Sequence, residues 1–399
     1  MPGKLKCGVP GALLASAWLA ACVTAPANDF RYGEVLCESG GLAISADFPS
    51  GGQHGCTVGE DGAITLSVMA ETSTSGPINP SPWYAFAVDA ARSGPASVTL
   101  DYKDYEHRYS PWLRDGDGTW SKLDGAATQV SEDEHRAVIS FDAARGTTVV
   151  AGHPLLTVQA ALSSMRALAV EHGFDEAVYG RSMEGRELSA FTKGASNAGT
   201  VIIALTRQHP PEVTGAKGYQ AFVEHLLETA PAGFWGDHLL ITVPVANPDG
   251  VEHGHWRLNM GGVDLNRDWY TQAQPEIAAL TAYLEREAGG RRVLAFLDFH
   301  STWRTLIYSP PFENASPDAA LLPFLQGTLD DPSCTQPEWI FGHNETSGTS
   351  KSWALATLGA PGITVEFGDD EAEANIACTA EQIAESLIEF ALTDASAAD

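Results

Sequence analysis

Four short apolar runs, at residues 200–205, 239–245, 293–299 and 362–367, constrain this chain most. Each has the length and character of a strand buried on both faces, too short for a buried helix. Helical spacing separates them. It is seen at 154–172 (Leu155, Val158, Leu162, Met165, Leu168), at 218–229, and at 275–287, where Pro275 suits a first turn and Ile277, Leu280 and Leu284 share one face. Strands alternating with helices predict an α/β fold, with a mixed, mostly parallel sheet flanked by helices.

The residues before this region have another rhythm. Ile64, Leu66 and Val68 alternate, as do Val98, Leu100 and Tyr102, and turn clusters such as Asp115-Gly-Asp-Gly118 separate the runs. This predicts a small β-sandwich over 30–150, followed by the α/β domain over 151–395. No internal repeat is visible.

The start of the chain bears on its compartment. Lys4 and Lys6 precede an apolar run at 9–21 that is too short to span a bilayer in a mature protein. It ends in Leu19-Ala20-Ala21-Cys22, which resembles the bacterial lipobox, in which the Cys is acylated and becomes the new N-terminus. The expectation is a signal at 1–21, lipid on Cys22 and a tether at 22–29. An ordinary signal peptide cut near Ala21 or Ala27 is the alternative. Val23 after the Cys suggests the outer membrane, hence a periplasm-facing, lipid-anchored protein with no other membrane contact. Export would leave Cys37, Cys56, Cys334 and Cys378 in an oxidising compartment. Local pairing, Cys37 with Cys56 and Cys334 with Cys378, is one of the three possible connectivities. None has C-x-x-C spacing, which argues against a cysteine metal site. A net charge of −28 excludes nucleic acid as a partner, because phosphate binding needs basic patches. No interface pattern is visible, so a monomer is expected.

In parallel sheets, sites form beyond the carboxyl ends of the strands. His209-Pro-Pro-Glu212 follows the first apolar run, Asn247-Pro-Asp-Gly250 the second, His300 closes the third, and Glu366 sits near the end of the fourth. His209 and Glu212 offer two donors from one proline-stiffened turn, and His300 is the best third. The stretch Asp264-Leu-Asn-Arg267 adds a carboxylate, an amide and a guanidinium suited to gripping a carboxylate, and Arg257 is a second cation. Burial should raise the pKa of Glu366 and a metal should lower it, which suits a general base.

These ordered motifs resemble the zinc metallocarboxypeptidase family. "NPDGVEHGHWR" and "GGVDLNRDW" are more similar to its cytosolic-carboxypeptidase branch, which also carries a β-sandwich before the catalytic domain. The resemblance covers roughly 155–390 well and 60–150 loosely. It implies one Zn²⁺ per chain held by His209, Glu212 and His300. It makes Glu366 the base that takes a proton from the attacking water, and Arg257 the cation that stabilises the oxyanion. Asn266 and Arg267 would hold the terminal carboxylate of a peptide substrate with a free C-terminus, and Asp264 would orient His209. Lys351, fifteen residues before Glu366, falls at the family's specificity position, where a cation suits Glu or Asp side chains. Two departures bear on the subsites. Asn344, beside His343, replaces a Tyr of the pancreatic enzymes, and Pro211 replaces an Arg. His253, His255 and Trp303 could line the cleft, though packing or surface roles suit them as well. The competing readings are an amidohydrolase of aspartoacylase type, which shares His-x-x-Glu and a distant His, and a non-catalytic envelope binding module.

Overall fold

The computed structural model describes residues 33–311 and 320–397. The proposed signal, Cys22 and most of the segment before the first strand lie outside them. Residues 35–151 form β1 to β11 (Val35–Ser39, Leu42–Ser45, His54–Val58, Ile64–Val68, Ala85–Ala90, Gly94–Asp101, Trp112–Arg114, Trp120–Lys122, Thr128–Val130, Arg136–Ala143 and Gly146–Ala151). They make two sheets, ordered β1-β2-β5-β11-β7-β8 and β3-β4-β6-β10-β9. Side chains from both sheets share one core, including Ile44, Leu66, Phe86, Val98, Ile139 and Val150. The alternation at Ile64, Leu66 and Val68 is realised in β4, where these three are buried and the residues between them are half-buried. Disulfides join Cys37 to Cys56 and Cys334 to Cys378.

The second unit has β12 to β19 (Asp175–Arg181, Glu187–Lys193, Thr200–Thr206, His238–Val243, Arg292–Thr302, Leu306–Ser309, Glu338–Phe341 and Gly362–Gly368) in one sheet, ordered β12-β13-β15-β14-β16-β19-β17-β18. The central pairs β15/β14, β14/β16 and β16/β19 are parallel, as is β17/β18, and the other pairs are antiparallel. The helices are α1 (Val158–His172), α2 (Val213–Thr229), α3 (Phe234–Asp237), α4 (Pro248–Glu252), α5 (Pro275–Ala288), α6 (Leu321–Leu329), α7 (Ser350–Trp353) and α8 (Glu373–Ala397). One core, with Phe222, Phe299, Phe367 and Leu387, lies under α2 and α8; another, with Ile277, Leu284, Phe296 and Trp353, lies under α5. Among the described residues no helix is long and apolar enough to cross a membrane.

Several boundaries differ from the sequence expectation; β15, for one, ends at Val243 rather than 245. The first helix starts at Val158 rather than 154, because Thr157 caps it by accepting from Ala160 N at 3.1 Å. The second starts at Val213 rather than 218. Its first turns contain Gly215 and Gly218, poor helix formers that the packing requires. A Cβ on Gly215 would lie 2.4 Å from His300 O, and one on Gly218 would lie 2.0 Å from the Phe367 ring. His300 does not close its strand either, since β16 runs on to Thr302.

Candidate metal centre

The polar groups gather where the C-terminal ends of β14, β16 and β19 meet. After β14 the chain turns sharply at Arg207, whose φ of 59° is in the left-handed region. His209 and Glu212 follow, and α2 begins at the next residue. On β16, His300 stands directly opposite Glu366 of β19 in the parallel register. His209 Nδ1 lies 2.8 Å from Glu212 Oε1, and His300 Nδ1 lies 2.7 Å from Glu212 Oε2. All three residues are buried, and one donor atom from each falls within 4.8 Å of the others.

The outer nitrogens of both rings are held by carboxylates. His209 Nε2 is 3.0 Å from Asp264 Oδ1, and His300 Nε2 is 2.8 Å from Asp298 Oδ2. This leaves both Nδ1 atoms turned inward, the arrangement that fixes ring orientation in metal-binding histidines. Two imidazoles and a carboxylate are a donor set of catalytic zinc. The electrostatics agree. Burial opposes a charge on His300, yet Asp298 and Glu212 raise its pKa well above the ordinary value. Burial would raise Glu212, but the charges of His209 and His300 hold its carboxyl well below the usual carboxylate range. Asp264 is likewise held low against its burial, first by Arg257 and then by His209. Carboxylates crowding two histidines are compensated best by a cation.

Glu366 faces the same place. Its Oε2 is buried without a hydrogen-bond partner, and burial pushes its pKa up to about 7 against the charge of His300. Arg257 is buried, with Nε 2.7 Å from Asp264 Oδ2. Asn266 Nδ2 sits 3.3 Å from His300 Nε2, and its Oδ1 accepts from Ser350 N at 2.9 Å. Arg267 is more exposed and donates from Nη1 to Asn266 O at 2.7 Å. Lys351 is buried on α7, donating to His343 O at 2.5 Å, beside a cavity of about 260 Å³ lined also by Tyr270, Pro310, Glu345 and Leu355. Burial lowers its pKa to about 8.

The remaining candidates fall elsewhere. His253 pairs with Glu184 at 2.8 Å, His255 Nδ1 is 2.9 Å from Leu258 O, and Trp303 is exposed under the Arg304 guanidinium. Sequence reasoning missed Asp298 and Glu71, and placed Asn247 at the site without giving it a role. Asp298 had a signal, because it stands two before His300 in one strand and so on the same face. Asn247 donates to Gln208 O at 3.1 Å and Leu258 O at 3.2 Å, tying the His209 turn to the Arg257 loop. Glu71, from the strand-rich unit, accepts from the backbone at Trp256, Arg257 and Leu258, and had no signal.

A family model described as zinc carboxypeptidase matches residues 163–389. Cytosolic carboxypeptidase 2 of Danio rerio is 32% identical over 104 residues, 25% of this chain and 14% of that protein. The human protein of that name is 33% identical over 104 residues, 25% of this chain and 12% of its own length. The chain thus matches only about an eighth of the length of these relatives. A metallo-carboxypeptidase structure from Burkholderia cenocepacia superposes with a TM-score of 0.72 at 17% identity, covering 88% of this chain and 99% of that one. One from Pseudomonas aeruginosa, in complex with (2-guanidinoethylmercapto)succinic acid, gives 0.68 at 18% identity, covering 87% and 98%. Coverage of that extent takes in the strand-rich unit as well.

Proposed function

The chain belongs to the zinc carboxypeptidase family, and we propose that it is an exported enzyme that removes single residues from the free C-terminus of peptides, favouring Glu or Asp. The observation that carries this reading is the convergence of His209 Nδ1, His300 Nδ1 and the Glu212 carboxylate beside the unpartnered Oε2 of Glu366. His209, Glu212 and His300 would hold a zinc ion, which would supply Lewis-acid polarisation of a carbonyl and make bound water more acidic. The protein's own groups do the rest. Glu366 Oε2 takes the proton of the attacking water and returns it to the leaving amine. Arg257, its Nε fixed on Asp264, stabilises with the rest of its guanidinium the charge that develops on the carbonyl oxygen. Asn266 and Arg267 grip the terminal carboxylate, which restricts cleavage to the last residue.

Lys351 is the group that would select acidic side chains. Glu345, which lines the same cavity, partly offsets its charge, and the positive charge of Arg267 acts on it as well. Export is supported by the sequence before Cys22 and by two disulfides of the kind that persist in oxidising compartments. Metabolic labelling with palmitate, abolished by Cys22→Ser, tests the anchor.

The activity test uses purified protein, zinc analysis, and blocked dipeptides ending in Glu, Lys or Phe, with acetyl-aspartate alongside. Release of terminal Glu, lost in Glu366→Gln while one zinc is retained, is expected. Release of Phe or Lys instead removes the acidic preference alone. Turnover of acetyl-aspartate and of no dipeptide would overturn the peptidase reading.

A further inference from the structure

We infer that Glu71 of the strand-rich unit is a positioning residue for catalysis, setting the backbone from which Arg257 reaches the reacting carbonyl. The inference rests on the role given to Arg257 above. Glu71 lies in the connection between β4 and β5, 186 residues from Arg257. Only 9% of it is exposed. Its Oε2 accepts from Trp256 N at 2.7 Å, and its Oε1 accepts from Arg257 N at 2.8 Å and Leu258 N at 2.5 Å. Three successive N–H groups aimed at one carboxylate form an anion nest, a geometry that extended backbone does not offer.

The surroundings make this more than a seal between units. Trp256 is fully buried in the core of the strand-rich unit, edge-on to Tyr105 at 5.0 Å. Thr74, three residues after Glu71, grips the same loop further on: its N donates to Gly262 O at 2.9 Å, and its Oγ1 to Gly261 O and Gly262 O at 3.0 Å. Before Arg257, Gly254 approaches Gly51 so closely that a Cβ there would lie 1.9 Å from Gly51 O. The loop is therefore held from outside at both ends and clamped in the middle by Glu71. The Arg257 side chain is anchored separately on Asp264, which also holds His209. Backbone position and side-chain aim are thus set by two carboxylates from two different units. An oxyanion donor works only if it is preorganised, so losing the backbone clamp should slow chemistry more than it weakens substrate binding.

Glu71→Gln is the sharpest change. An amide keeps one acceptor and turns an NH₂ toward N–H groups, breaking at least one of the three bonds while keeping the volume. The full protein would be compared with Glu71→Gln, Arg257→Ala and the double variant for kcat, KM, zinc content and melting temperature. We expect kcat of Glu71→Gln to fall about ten- to a hundred-fold, with KM little changed and one zinc retained. The double variant should be no slower than Arg257→Ala, because two residues acting through one group are not additive. Wild-type kcat with a lowered melting temperature would make Glu71 a structural seal and overturn the inference. A kcat loss that multiplies with that of Arg257→Ala would overturn it too. If Arg257→Ala itself keeps wild-type kcat, the role given to Arg257 fails first, and the two failures are distinguished. Should Glu71→Gln not accumulate as folded protein, Glu71→Asp keeps the charge and shortens the reach by one methylene. Unchanged kcat in that variant would refute the inference.

Discussion

Gly215→Ala tests the metal centre without touching a donor. Gly215 sits in the first turn of α2, three residues after Glu212, where the helix presses on the strand that carries His300. A Cβ there would lie 2.4 Å from His300 O, 2.5 Å from its C and 2.8 Å from its Cα. Ordinary contact begins at 3.4 Å, and every atom in the way is backbone. No rotamer change relieves the clash, so α2 and β16 must separate by about 1 Å. Glu212 is attached to the one and His300 to the other. Metal-ligand distances tolerate only about 0.2 Å. Overpacking of this kind costs about 1–3 kcal/mol of stability. The displacement should weaken zinc by about a hundred-fold or more, beyond the usual effect of losing an outer hydrogen bond. Chelator competition gives the affinity, and melting with and without zinc gives the linked stability. Gly236→Ala serves as control, because a Cβ there meets nothing within 4 Å. If Gly215→Ala holds zinc as tightly as the unaltered protein and melts at the same temperature, the reasoning that this contact sets the donor spacing is wrong.

Other predictions concern the supports of the site and the response to pH. Asp298→Asn should lower zinc affinity about ten- to a hundred-fold in the same chelator competition, since it removes the charge that orients His300. If Lys351 reads acidic side chains, discrimination of kcat/KM between terminal Glu and Gln should be about ten-fold below pH 8 and should fade as the pH rises through about 8, where the lysine loses its proton. Lys351→Met should lack both the preference and its pH dependence. Burial lowers His54 and His107 to about 4 and His153 to about 3. These groups bind fewer protons folded than unfolded, so stability is highest above pH 6.5 and falls as the pH drops toward 4, by on the order of 3 kcal/mol for each. Urea unfolding at pH 7.5 and 4.5 should show the loss, and His54→Phe should reduce it by about a third.

What could be read in the sequence is what depends on short-range pattern. The four buried strands were visible because a strand covered on both faces is apolar throughout. His209 and Glu212 were visible because three residues and two prolines fix their relation locally. His300 and Glu366 were legible one by one, and the register that sets them opposite each other is a consequence of the parallel sheet. Asp298 could have been found by extending that logic two residues back along the strand. The start of α2 could not, because Gly215 and Gly218 look unfavourable for a helix until the neighbours they admit are known. Glu71 lies furthest beyond the reach of short-range pattern. An acidic residue between two strands in a chain of net charge −28 looks like one more solvated carboxylate, and only the packing of the two units shows that it faces three N–H groups of the Arg257 loop. Pattern alone separates the β-sandwich from the α/β domain and assigns the first no part in the site, whereas its loops close on the segment that carries Arg257, and Arg108 from the same unit bonds Asp369 just beyond Glu366 at 2.8 Å. A catalytic residue can be named from a motif. The groups that hold it in place come from wherever the fold brings backbone together, and that placement depends on the whole chain.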